Sequence, residues 1–179
     1  MKTIQSIDFE IKEEDFEYNY QSSLTAKLDC YTLPFNQEVV NEIVLWKVNR
    51  YAELSPETLS LINQIDSEWD EALIRNVLFA LLSEKGVQLL MASTILRFRN
   101  KHLFQIIDQR VYRILYEDEL KINQQKTESN ILEQINLYLK YLEKLRDACA
   151  KLNIPFEMSD RVLYNADKRI NSTEKLRNW

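Results

Sequence analysis

Lys85-Gly86-Val87-Gln88-Leu89-Leu90-Met91-Ala92-Ser93-Thr94-Ile95-Leu96, followed downstream by Phe104-Gln105-Ile106-Ile107-Asp108, contains the one glycine of a 179-residue chain. Upstream of it, Trp69 to Lys85 carries Leu73, Val77, Leu78, Leu81 and Leu82 at helical spacing; downstream, Ala92, Ile95 and Leu96 repeat the pattern. A lone glycine between two such runs predicts a tight turn at Gly86, because glycine enters the left-handed region that ends helices without steric cost. One Gly and three Pro in the whole chain leave little material for hairpin turns between strands. Leu, Ile, Glu, Lys, Gln and Asn dominate instead, and the fold class that follows is all-α.

Working outward, Asn36 is placed to cap a helix from Gln37 to about Tyr51, with Val39, Val40, Ile43, Val44 and Val48 as its apolar stripe. Ser55-Pro56 reads as an N-cap with proline in the first turn of a helix that runs to about Ile65. Ser67, with Asp70 three residues on, predicts the start of the helix that leads into the Gly86 turn. The polar stretch Lys121 to Asn130 reads as a loop, Ile131 to Leu152 as a long amphipathic helix stopped by Pro155, and Ser159 as the opening of a last helix to about Asn171. Residues 1–33 differ. Ile7, Phe9 and Ile11, then Phe16, Tyr18 and Tyr20, alternate with polar residues, which predicts a short β-ribbon or an extended arm on a helical body. At this length the expectation is one domain over residues 1–179, with the arm at 1–33 and the helical body at 36–171.

The formal net charge of -5 is unevenly distributed. Between Lys85 and Arg113 stand Lys85, Arg97, Arg99, Lys101, Arg110 and Arg113 against Asp108 alone. The arm is acidic, with Asp8, Glu10, Glu13, Glu14, Asp15, Glu17 and Asp29 outnumbering its lysines, and offers itself to a protein partner. A basic belt on an acidic protein can bind phosphate locally. Cys30 and Cys149 match no metal-ligand spacing and read as two free thiols. The N-terminus lacks a basic-then-apolar pattern, and no apolar run approaches the roughly 18 residues that span a bilayer. The expectation is a cytoplasmic protein without a membrane partner.

Gly86, Val87 and Ala92, with Asp108 following an apolar run, resemble the helix-hairpin-helix DNA glycosylase superfamily (HhH-GPD), whose hairpin has the form G-V-G-x-x-x-A and is followed by an aspartate after an apolar residue. Gln88 stands where that family has its second glycine. The likeness covers residues 69 to 116. A weaker echo lies in Ile43 to Arg50, where the family has a helix that probes bases. The resemblance implies a helical bundle that binds double-stranded DNA through Lys85, Gly86, Val87 and Gln88, with Lys47, Asn49 and Arg50 from the earlier helix, and the basic belt adds Arg97 and Arg99. It implies Asp108 as the catalytic carboxylate. Some members of the family carry an iron-sulfur cluster, but two cysteines cannot supply four ligands. No metal or cofactor is expected beyond a monovalent cation on the hairpin carbonyls.

Cleaving an N-glycosidic bond in DNA needs a base taken out of the stack and a negative charge that stabilises the sugar cation or activates water. Asp108, behind Phe104, Ile106 and Ile107, has the apolar surroundings that raise a carboxyl pKa, and it also stands where a helix N-cap is needed. Bifunctional members of the family have a lysine nucleophile four residues after the first glycine. Here that residue is Leu90, so the implied chemistry is hydrolysis without a Schiff base. Two alternatives stand beside this reading. One is a glycosylase fold kept as a catalytically inactive DNA- or protein-binding module. The other is a HEPN-like ribonuclease, because Arg97 and His102 fit the pattern R-x4-H.

Overall fold

The computed structural model describes residues 3–7, 9–17, 22–48 and 54–176. Among these residues every regular element is helical: α1 (Ser22–Asp29), α2 (Gln37–Val48), α3 (Pro56–Asn63), α4 (Glu71–Ser83), α5 (Leu89–Arg99), α6 (Gln109–Tyr116), α7 (Glu128–Leu152) and α8 (Ser159–Ile170). Single 3-10 turns lie at Glu13–Phe16 and Phe156–Met158. Short polar side chains set most of the helix starts. Asn36 Oδ1 accepts from Val39 N at 3.1 Å, Ser55 Oγ from Thr58 N at 3.2 Å, Asp70 Oδ1 from Leu73 N at 3.0 Å and Thr127 Oγ1 from Asn130 N at 3.3 Å. Each of these meets an N–H that the first turn cannot satisfy itself. α4 therefore starts from Asp70 and not from Ser67, which lies in the preceding turn.

α5 is the central helix. Nine of its eleven residues are buried, as expected of a helix enclosed on all sides and not of an amphipathic surface helix. It packs on α2, α3 and α4; α7 packs on α4 and α6, and α8 on α6. Ser93 and Thr94 inside α5 donate to Leu90 O at 2.9 and 2.7 Å, which removes the cost of burying their hydroxyls. Buried apolar side chains from α1 to α8 form one continuous cluster.

Among its described residues the N-terminal stretch forms no ribbon. No strand occurs among the described residues, Ser22–Asp29 is helical, and Ile7 is fully exposed; Tyr18 and Tyr20 lie outside the described residues. Period-2 alternation needs a neighbouring strand to complete its ladder. Here the backbone is met in other ways: Ile4 N donates to Ile114 O, Arg169 to Glu10 O, and Asn165 to Asp15 O and Glu17 O. Asp15 is gripped by Arg169 through two hydrogen bonds of 3.1 and 2.7 Å, fastening this segment to α8. α8 is fixed to α6 by a fork: both oxygens of the fully buried Asp167 accept from Arg113 at 2.7 Å, with Arg110 adding a third contact at 3.0 Å.

Candidate functional site around Asp108

Residues Phe104 to Ile107 cross the interior in extended form between α5 and α6, and their backbone is tied on both sides. Ile107 N donates to Ser93 Oγ on α5 at 3.3 Å. From α7, Tyr138 and Tyr141 donate to Gln105 O and Ile106 O at 2.8 and 2.7 Å. Four buried apolar or amide side chains in a row followed by a helix cap thus deliver Asp108 to a fixed point. Its Oδ1 accepts from Val111 N at 2.9 Å and caps α6, as its sequence position predicts.

Asp108 opens onto a cavity of about 190 Å³ bordered by Trp46 and Lys47 from α2, Ile106, and Asp160, Arg161 and Tyr164 from α8. The carboxyl keeps part of its surface on the cavity but is otherwise enclosed by protein. Burial raises its pKa above the ordinary aspartate value. The ammonium of Lys47 and the amides of Val111 and Arg110 oppose that rise, while the charge of Asp160 adds to it. Such a carboxyl holds its proton to higher pH than a solvated one and, once ionised, is a stronger base. The cavity is smaller than the roughly 300 to 1,000 Å³ of a drug-sized ligand site, so it suits a small, compact group.

Some expected participants stand at this site and others do not. Lys47 does, on the wall of the cavity. Trp46 is core, donating from Nε1 to Thr25 Oγ1 at 2.6 Å and packing edge-on against Phe98 at 5.2 Å. Asn49 and Arg50 lie outside the described residues. Arg97, read as facing DNA, is 1% exposed and engaged with Asp29 and, at 3.6 Å, Asp160. Arg99 is turned to the C-terminal end of α3, where it donates to Ile62 O, Asn63 O and Ile65 O. Arg110 and Arg113 are held by Asp167. The basic belt of the sequence is therefore largely neutralised by carboxylates and carbonyls from distant segments. His102 is exposed on the turn after α5, near a shallow cavity of about 270 Å³ that Arg97 also borders, but the charge of Arg97 is already met by Asp29.

Gly86 adopts φ 82°, the left-handed turn its sequence position predicts, and joins α4 to α5. The turn is held from outside. Lys126 Nζ donates to the carbonyls of Leu82 at 2.8 Å, Glu84 and Val87 at 3.2 Å. Glu84 Oε1 accepts from Ser55 N, Ser55 Oγ and Thr58 Oγ1 at 2.9, 2.6 and 2.7 Å. Burial works to raise the Glu84 pKa, but these donors and Lys126 outweigh it and the carboxyl is held below its usual value. Val87 is buried, whereas Lys85, Gly86 and Gln88 are exposed. Gln88 gives α5 no side-chain cap and instead donates to Gln124 Oε1 at 3.1 Å. Three carbonyls around the turn thus accept from the one ammonium of Lys126.

Asp160, Arg161 and Tyr164 were not legible as site residues in the sequence, where an aspartate after Ser159 reads as first-turn acid on an ordinary helix. Among the described residues no group of three His, Cys, Asp or Glu side chains is arranged to hold a metal ion, and no helix is long and apolar enough to cross a membrane. Cys30 is exposed and Cys149 buried, both as free thiols. Compared with known proteins, the chain matches no family model, no curated protein and no solved structure.

Proposed function

We propose that this protein binds double-stranded DNA and hydrolyses an N-glycosidic bond, with Asp108 as the carboxylate that stabilises the sugar cation or activates water. The observation that carries the reading is the position of Asp108: a helix-capping carboxylate with a raised pKa, opening onto a small cavity shared with Lys47, one turn-linked helix downstream of a glycine hairpin. The exposed face of that hairpin, Lys85, Gly86 and Gln88, leads into the N-terminus of α5, which has no side-chain cap and whose dipole favours an anion such as a backbone phosphate. Base flipping brings the sugar to the cavity, and the partly buried carboxylate meets the developing positive charge in surroundings that weaken it little. Leu90 cannot form a Schiff base, so the product is an abasic site with the strand intact.

Base release from a panel of damaged and modified duplexes tests this. Asp108→Asn keeps the cap, since asparagine caps helices as well as aspartate. It is expected to lose release by about 10² to 10⁴-fold while duplex affinity stays at the wild-type level. Lys85→Gln is expected to weaken binding and to lower the salt slope by about one. Borohydride should trap no adduct; a trapped adduct lost in Lys47→Ala would make the enzyme bifunctional through Lys47. Release from no substrate by the wild type leaves a DNA- or protein-binding module, and RNA cleavage lost in His102→Ala replaces both with the ribonuclease.

A further inference from the structure

Asp160 stands in the first turn of α8 and lines the cavity that Asp108 borders. The side chain is 3% exposed. Its Oδ1 accepts from Arg161 N at 2.7 Å, but Oδ2 has no hydrogen-bond donor among the described residues. The nearest cation to Oδ2, Arg97 Nε, is 3.6 Å away, too far for a hydrogen bond, and that nitrogen also lacks an acceptor. The guanidinium of Arg97 is pulled instead to Asp29, which Arg161 holds from the other side with contacts of 2.5 and 2.7 Å. A buried carboxylate oxygen without a donor is an energetic fault in an isolated protein and an asset in a binding site.

An ionised carboxylate only accepts, so the group that completes Oδ2 must donate. The rest of the cavity wall narrows the choice. Ile106 and Trp46 supply apolar surface, the Tyr164 ring is flanked by Arg110 and Lys168, and Lys47 is a cation on the wall. A small flat heteroaromatic ring with an N–H on its edge satisfies all of these. We infer that Asp160 reads the group bound in this cavity, accepting a hydrogen bond at Oδ2 from an amino or ring N–H of a nucleobase. Asp160 thereby selects the base, and Asp108 acts on its glycosidic bond; the identification of the ring as a nucleobase rests on the glycosylase reading above.

Binding of free nucleosides tests the assignment without requiring any hydrolysis. Two pairs are measured by calorimetry on the wild-type chain: 2′-deoxyadenosine against its analogue lacking the amino group, and 2′-deoxyuridine against its N3-methyl derivative. In at least one pair the N–H-bearing member is expected to bind about tenfold more tightly, the preference that one hydrogen bond to a charged acceptor supplies. Asp160→Ala is expected to erase that preference and Asp160→Asn to reduce it, with thermal unfolding of each variant recorded alongside. Equal binding within both pairs, or no binding of any nucleoside, overturns the inference from the wild type alone. A preference that survives Asp160→Ala overturns it as well. Base release from duplexes without nucleoside preference removes Asp160 and leaves the glycosylase reading standing; nucleoside preference without base release does the reverse.

Discussion

Two connections flank α5, one leading into it at Gly86 and one leading from it into α6 at Asp108, and they are built in opposite ways. The Gly86 turn is held from outside: a lysine from the loop before α7 donates to its carbonyls, and a glutamate at its base accepts from Ser55, the N-cap of α3. On its outer face Gln88 reaches Gln124, and α5 starts without a side-chain cap. The turn at Asp108 is held from within. Its backbone is bound by Ser93, Tyr138 and Tyr141, and its own carboxylate caps the helix that follows. The first arrangement gives a turn fixed at the surface, with Lys85, Gly86 and Gln88 exposed. The second gives a rigid interior that fixes one titratable group at a cavity. Rigidity in the two places thus serves different ends, and perturbing each should produce a different signature.

The largest effect on the first turn is expected from Gly86→Val. A β-branched residue at φ 82° is strained by about 1 to 3 kcal/mol, and the melting temperature should fall by roughly 2 to 4 °C for each kcal/mol, with duplex affinity falling too. An unchanged melting temperature would mean that the turn relaxes freely and is not rigid. Lys126→Met is a milder test of the same idea. The three carbonyls would then turn to water, so the loss is expected near 1 kcal/mol in chemical denaturation. If the comparison holds, the loss of affinity in Lys126→Met exceeds what the small loss of stability accounts for, because a loosened hairpin presents its amides less well.

The smallest effect concerns the second turn and has the opposite sign. Because burial raises the pKa of Asp108, the folded protein binds its proton more tightly than the unfolded chain does. The ionised carboxyl therefore costs stability once pH climbs above the unfolded value near 3.8, and the cost grows until the raised folded value is passed. Asp108→Asn removes that cost and keeps the cap. Its melting temperature should exceed wild type at neutral pH, and the gain should vanish as pH falls toward 3.8. A variant less stable than wild type at neutral pH would show that the carboxylate is there for the fold and not held against it.

Local chemistry was readable in the sequence and long-range pairing was not. The caps at Asn36, Ser55 and Asp108 and the left-handed Gly86 follow from residue type and position, because each acts within a few residues of itself. The start of α4 slipped from Ser67 to Asp70, one short polar side chain being exchanged for another. α1 was hidden because its sequence has only a weak apolar face and followed a stretch that alternates like a strand. Arg97 looked basic and available because its neighbours are basic. Its partner Asp29 lies 68 residues earlier, and no periodicity reports such a contact. Asp160 and Tyr164 belong to the cavity only because α8 folds back on α6, and Lys126 sits in a polar stretch whose sequence gives no sign of the hairpin beneath it.

The ties between the two ends of the chain impose an order on its assembly. Asp29 meets Arg161 across 132 residues and Asp15 meets Arg169 across 154, contacts whose loop entropy is among the largest a chain of this size can close. During synthesis, the Gly86 turn gains its outer tie only once Lys126 has emerged, and the segment before Asp108 gains its ties only with Tyr138 and Tyr141 of α7. One wall of the cavity arrives only with α8. Until Ser159–Ile170 has emerged and docked, the chain carries the Gly86 turn and the Asp108 carboxylate but lacks the wall that Asp160, Arg161 and Tyr164 give the cavity, so a prematurely ended product has the turn without the cavity.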